Sequence, residues 1–187
     1  MFSINVPYDI VEYSTELVEA VNFGVRGKQD GSKAQQLIGI ISQNAVLHKL
    51  EMPLVTASRE SKEYDFILNG KRVDVKSYKT FGRPRPDHEG FVVKEQIHYD
   101  LDTYLFGAYL IGERVLIVCG WLPKDEFIKN SRYVKKGDVF RLDNGNDFTA
   151  RLNAYHIKNY QLNDLKSIKQ LKNMGKIKPE DKQIGLF

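Results

Sequence analysis

Tyr64-Asp65-Phe66-Ile67-Leu68-Asn69-Gly70-Lys71-Arg72-Val73-Asp74-Val75-Lys76 is the stretch on which the reading of this chain turns. Asn-Gly between two apolar runs favours a two-residue type I′ turn, because both central residues need positive φ. A turn at Asn69-Gly70 pairs Leu68 with Lys71 and Phe66 with Val73, and predicts Asp65 directly opposite Asp74. The period of two then sends Phe66, Leu68, Val73 and Val75 into a core, and Asp65, Asp74 and Lys76 to the other face. Like charges directly opposite on a sheet repel, with Cβ atoms roughly 4.5 to 5.5 Å apart. A cation between them removes that repulsion. Two carboxylates with a carbonyl nearby suit Mg²⁺, a hard ion that keeps several of its waters.

An acidic residue, any residue, then lysine also occurs at Glu60-Ser61-Lys62, Asp164-Leu165-Lys166 and Glu180-Asp181-Lys182. The tripeptide by itself therefore carries no signal. The copy at 74 to 76 differs in its strand context, with valines on the buried parity and a second carboxylate across a turn. The competing reading is a solvated face on which Lys76 pairs with Asp74 or Glu63 as a weak surface ion pair.

Asp65, eight residues, then Asp74-Val75-Lys76 resembles the core of the PD-(D/E)XK nucleases, the restriction-endonuclease-like superfamily. The resemblance covers roughly residues 33 to 121, with Tyr64 where the family name has proline. It implies an α/β fold with a mixed central β-sheet flanked by helices, and hydrolysis of DNA phosphodiester bonds. It also implies Mg²⁺, with Mn²⁺ as a substitute, held by Asp65, Asp74 and the Val75 carbonyl. Lys76 then meets the attacking water or a phosphate oxygen, with an electrostatic role favoured over proton removal beside two carboxylates. In many members the upstream helix bears a glutamate. Here the matching stretch offers Gln43, which can orient a metal-bound water but adds no charge. Gln96 and Tyr99 follow the lysine too closely to take the roles of the Gln and Tyr that some members place there.

The chain has 187 residues, of which 42% are hydrophobic, and a net charge of +4. That length supports one α/β domain with a real core. The single cysteine, Cys119, excludes a disulfide within the chain and a multi-cysteine zinc site, and reads as a buried strand residue. Met1 to Pro7 lacks the basic-then-apolar order of a secretory signal, and no apolar run approaches the ~18 residues of a membrane span. The expected location is the cytoplasm.

Positive charge is concentrated next to the candidate site. Residues 71 to 94 hold seven Lys/Arg against three Asp/Glu. Cations neutralise phosphates and release counterions, and that release drives most non-specific nucleic-acid binding. Residues 79 to 98 are expected to form a basic loop that contacts double-stranded DNA, with Tyr78 just before it and Lys79, Arg83 and Arg85 within it as the contacts, arginine being the usual reader of guanine. The alternative is a merely solvated loop, since 82 to 87 is rich in Gly and Pro.

The remaining stretches read as scaffold. Helices are predicted over about 8 to 22, and over about 33 to 50 with Ser32 as cap and an apolar stripe. Residues 104 to 111 and 114 to 121 read as two doubly covered strands. A short helix is expected after Pro123, a hairpin turning at 143 to 146, and a helix over about 162 to 174. A mobile tail is expected over 176 to 187. His48, His98 and His156 share no metal-binding spacing and are expected to be partly buried structural residues.

The function expected is a Mg²⁺-dependent DNA endonuclease, with a type II restriction enzyme or subunit as the leading subclass. A structure-specific phage or repair nuclease and a catalytically silent nucleic-acid-binding domain on the same fold are the alternatives. One site cuts one strand, so duplex cleavage calls for a homodimer or a partner nuclease subunit.

Overall fold

The computed structural model describes residues 1–21, 23, 31–57, 63–141 and 147–176. The expected turn at 143 to 146 and the tail from 177 onward lie outside the described residues. Strands β8 (Val139–Arg141) and β9 (Asp147–Thr149) pair antiparallel.

The central sheet is mixed, with helices packed on it. Its order is β1 (Phe2–Asn5), β6 (Val115–Pro123), β5 (Thr103–Leu110), β3 (Lys71–Thr80), β2 (Phe66–Leu68). Only β3 and β5 run parallel; the other neighbours are antiparallel. All eight residues of β5 and the first eight of β6 are buried, as expected for strands covered on both faces. Cys119 is buried on β6, and that burial pushes its thiol up to about 12.

One face of the sheet is covered by α1 (Tyr8–Ala20), α2 (Lys33–Leu50) and the short α4 (Ile168–Lys172). Ile10, Ile41, Ala45, Val46 and Leu171 pack there against Phe66, Val73, Val75, Leu105 and Leu116. Helix α2 begins at a full capping box: the Ser32 hydroxyl accepts the Gln35 N–H at 3.3 Å, and Gln35 Oε1 accepts the Ser32 N–H at 2.8 Å. It ends at Glu51 in the left-handed region, φ 60, two residues before Pro53. Ile40 to Leu47 are all buried, so the middle of α2 is enclosed all round and not along a single stripe. Its polar residues are accommodated accordingly. Asn44 donates to Ser14 Oγ at 3.0 Å and accepts the Val55 N–H at 2.9 Å.

The opposite face is covered by a second sheet with the order β4 (Glu89–Val93), β10 (Ala154–Lys158), β7 (Arg132–Val134), together with α3 (Lys124–Asn130). Val92, Ile157 and Phe127 pack there against Tyr104, Phe106 and Ala108. Strands β1, β4, β7 and β10 are too short to be distinguishable by pattern. The segment expected as one loop, 79 to 98, is divided: β3 extends to Thr80, β4 occupies 89 to 93, and only 81 to 88 connects them.

The helix expected over 162 to 174 is confined to Ile168–Lys172. Its apolar residues are nevertheless buried, because the chain crosses the end of the sheet. Leu162 packs on the β4/β10 side, whereas Leu165, Leu171 and Met174 pack on the helical side. Asn163 bridges Trp121 at the crossing, with backbone bonds of 3.1 and 2.9 Å. A run of apolar residues at three-residue steps thus reflects burial on two faces, not one helical stripe.

Candidate active site

The hairpin forms in the predicted register. Asn69 and Gly70 adopt φ 52 and φ 76, and Leu68 pairs with Lys71 and Phe66 with Val73. The Asn69 side chain also donates to the carbonyls of Lys172 at 3.0 Å and Met174 at 2.9 Å, tying the turn to the end of α4.

Asp65 departs from the expected ladder. Strand β2 starts at Phe66, and the Asp65 N–H donates to the Val73 carbonyl at 2.8 Å; no Asp65–Asp74 ladder pair forms. Its carboxylate turns to the sheet edge, where Oδ2 accepts the Val75 N–H at 2.7 Å. The physical reason is that β2 stops short, so an aspartate side chain takes the place of a strand partner for that amide. The two acids therefore meet around one peptide unit: Asp65 Oδ2 touches its nitrogen, and Asp74 contributes its carbonyl carbon. In a strand the N–H and C=O of one residue point the same way, so the Val75 carbonyl faces the Asp65 edge.

Asp74 and Lys76 share the sheet face predicted for them, but that face is covered. Asp74 is 4% exposed. In the parallel ladder it lies beside Tyr104, whose buried hydroxyl makes no hydrogen bond. Burial, and then the Asp74 charge, raise the Tyr104 phenol above its ordinary range. Lys76 Nζ lies 2.8 Å from Asp74 Oδ2, with side-chain exposures of 16% and 5%. This is an enclosed ion pair, unlike the surface pair weighed from sequence. Apart from Lys76, Asp74 Oδ2 has no hydrogen-bond partner among the described residues.

Gln96 completes the group. It closes a short 3₁₀ turn, Lys94–Gln96, that follows β4, and its Oε1 accepts from Lys76 Nζ at 2.9 Å. Lys76 and Gln96 line a recess with Tyr78, Gly90, Phe91 and Val93. Spacing from the lysine argues against Gln96. Gln96 comes near Lys76 only because β4 folds back toward β3, which no local pattern announces. Gln43 is buried on α2 and donates from Nε2 to the Asp65 carbonyl at 3.3 Å. It thereby holds the backbone of Asp65 in place.

The expected DNA-contacting residues separate into two groups. The Tyr78 ring packs on the β4/β10 side and its hydroxyl is buried, with its pKa pushed up to about 12 by burial. The residue as a whole is partly buried and lines the recess beside Lys76. Lys79, Arg83 and Arg85 are exposed. Arg85 is held by Asp87, Nε to Oδ1 at 3.2 Å. Of the three histidines expected to be partly buried, His48 and His98 are exposed, whereas His156 is partly enclosed, 3.0 Å from Glu89 and stacked on Phe91.

The donor set suits Mg²⁺ better than a softer ion. It comprises carboxylate oxygens of Asp65 and Asp74 and the Val75 carbonyl, with Asp74 Oδ2 buried and paired with Lys76 Nζ at 2.8 Å. Among the described residues, no three of His, Cys, Asp and Glu converge as a metal-holding group, so water would have to fill the remaining positions. No helix among the described residues is long and apolar enough to cross a membrane. No protein-family model, curated protein or solved structure matches the chain.

Proposed function

We propose that the chain is a Mg²⁺-dependent DNA endonuclease with a restriction-endonuclease-like fold. The observation that carries this reading is the gathering of Asp65, Asp74 and Lys76 around the 74–75 peptide, with Gln43 and Gln96 holding the first and last of them. Lys76 offsets the charge of Asp74, and a cation shared with Asp65 would offset both acids. Asp65, Asp74 and the Val75 carbonyl would hold the ion. When bound, it would polarise the scissile phosphate and lower the pKa of a water.

The protein's own groups then have distinct tasks. Asp74 pairs with the Lys76 ammonium and holds it against the recess, where it would stabilise negative charge developing on phosphate. Gln43 fixes the Asp65 backbone. The exposed Lys79 and Arg83 attract the polynucleotide. A homodimer or a partner subunit would supply the second cut of a duplex. Of the two loop arginines, Arg85 is engaged by Asp87, which leaves Arg83 the better placed base reader for a restriction enzyme.

A second reading, a catalytically silent DNA-binding domain, is favoured by one specific observation: Asp74 is almost fully enclosed. Plasmid nicking in Mg²⁺ or Mn²⁺ separates the two. Nicking by the parent, lost in Asp74→Ala and Lys76→Ala with DNA binding retained, supports the endonuclease. Binding without nicking in all three supports the silent domain. Discrete bands from random-sequence DNA point to restriction, and cutting confined to forks or junctions to a structure-specific enzyme.

A further inference from the structure

Beyond β3 the chain presents an aromatic ring to solvent in an unusual way. Phe81 is 85% exposed, the most exposed of the large hydrophobic side chains among the described residues. Isolated surface apolar groups are common, but three observations set this one apart. First, its loop is fixed and not loose. Thr80 Oγ1 donates to the Gly82 carbonyl at 2.7 Å and accepts its N–H at 3.2 Å. At the loop's far end, the backbone amides of Asn159 and Tyr160 donate to the carbonyls of His88 and Pro86, both at 2.9 Å, and Asn159 Nδ2 donates to the Arg85 carbonyl at 2.9 Å. Second, Phe81 lies between Lys79 and Arg83, exposed cations without an ion-pair partner among the described residues. Third, the segment that pins the loop carries another exposed ring, Tyr160 at 64%, with Lys158 Nζ 5.8 Å from its centre.

Exposed rings interleaved with free cations on a rigid support make a stacking platform within a positive field. Such a surface suits a polynucleotide whose bases are unstacked, because every base offers a π-face to an aromatic ring, whereas bases within a duplex are already stacked on each other. Fixing the ring beforehand lowers the ordering cost of binding. We infer that Phe81 and Tyr160 bind single-stranded DNA by base stacking, delivering an unpaired strand to the neighbouring Lys76 site. Phe81 lies five steps along the chain from Lys76, roughly 16 Å at about 3.3 Å per residue of strand. This rests on the endonuclease reading and names its substrate class: DNA with an unpaired segment, as at forks and flaps.

The test is fluorescence anisotropy in EDTA, with a labelled single-stranded oligonucleotide and the blunt duplex of the same sequence. The proteins are the parent, Phe81→Ala, Phe81→Trp and Tyr160→Ala. The parent is expected to bind the single strand more tightly than the duplex. Each alanine variant should lose single-strand affinity by about tenfold or more, the scale of one stacked base, with duplex affinity unchanged. Phe81→Trp should keep the affinity, and its indole emission should fall on binding. Equal single-strand affinity in parent and Phe81→Ala, a preference for duplex, or no binding to either strand form would overturn the inference. Because EDTA stops metal-dependent cutting, the result is independent of catalysis. If nicking in Mg²⁺ is absent while the Phe81-dependent binding persists, the endonuclease reading fails alone.

Discussion

Asp65 reaches past the end of its own strand to accept the Val75 N–H at 2.7 Å, so one carboxylate both terminates β2 and flanks the Asp74-Val75 peptide. Val75 is buried, and an amide there left without an acceptor costs about 1–3 kcal/mol. Asp65→Ala is therefore expected to lower stability by that amount in thermal or urea unfolding. Asp65→Asn retains a carbonyl oxygen at the same place and should unfold close to the parent, while losing the charge required for Mg²⁺-dependent nicking. Equal destabilisation by both substitutions would show that the Val75 bond is not what the side chain contributes.

The hairpin and α2 are legible in the sequence because local chemistry determines both. Asn69-Gly70 accepts positive φ wherever it occurs, and the Ser32/Gln35 box satisfies the first amides of a helix without tertiary help. Asp74 and Lys76 follow from the turn by parity alone. What covers them does not. The second sheet consists of strands of three to five residues, too short to show a period, and its position depends on contacts distant in sequence. Gln96 is obscure for the same reason: it approaches Lys76 only because β4 folds back. Asp65 is the instructive mismatch. Pairing rules assume that β2 continues, whereas a side chain able to mimic a backbone acceptor ends it one residue early.

Gly120 sits where the late crossing passes β6. Its φ is 153, and a Cβ there would lie 2.7 Å from both the Asn163 carbonyl oxygen and the Leu162 Cβ. One of those atoms is backbone, which cannot yield without breaking the Trp121–Asn163 bridge. Gly120→Ala is expected to destabilise by about 1–3 kcal/mol, the range for a residue forced into a sparsely populated conformation, measured as a lower urea midpoint. A midpoint matching the parent would mean that the crossing is not docked against β6.

Acid should act on two carboxylates with depressed pKa values. The hydrogen bond with His156 lowers Glu89, aided by the charge of Arg132; the side-chain and then backbone bonds from Arg72 lower Asp102. A carboxyl whose folded pKa lies below its unfolded value contributes stability above the unfolded value, near 4. That contribution disappears as pH falls through the folded value. Unfolding free energy measured from pH 7 to pH 2 should thus decline below about pH 4, and the decline should be shallower in the Glu89→Gln/Asp102→Asn double variant. An identical acid limb in the two proteins would assign acid unfolding to other groups.

Lys76 is the counter-charge to an acid that water scarcely reaches, and this makes stability a reporter of the metal site. Removing one partner of a buried pair while leaving the other costs about 3–5 kcal/mol, chiefly from the uncompensated charge that remains. Lys76→Met is expected to lose that much. Adding Asp74→Asn should recover part of it, since a neutral amide is less costly to enclose; a double-mutant cycle then isolates the coupling. If the Asp65/Asp74 oxygens hold Mg²⁺, the ion can replace the missing ammonium. Millimolar Mg²⁺ should therefore raise the melting temperature of Lys76→Met more than that of the parent, and should have no such effect on Asp74→Asn/Lys76→Met, because an ion that binds only the folded state stabilises it by mass action. The same Mg²⁺ response in the single and double variants would remove Asp74 from the metal site, whatever the nicking assay shows.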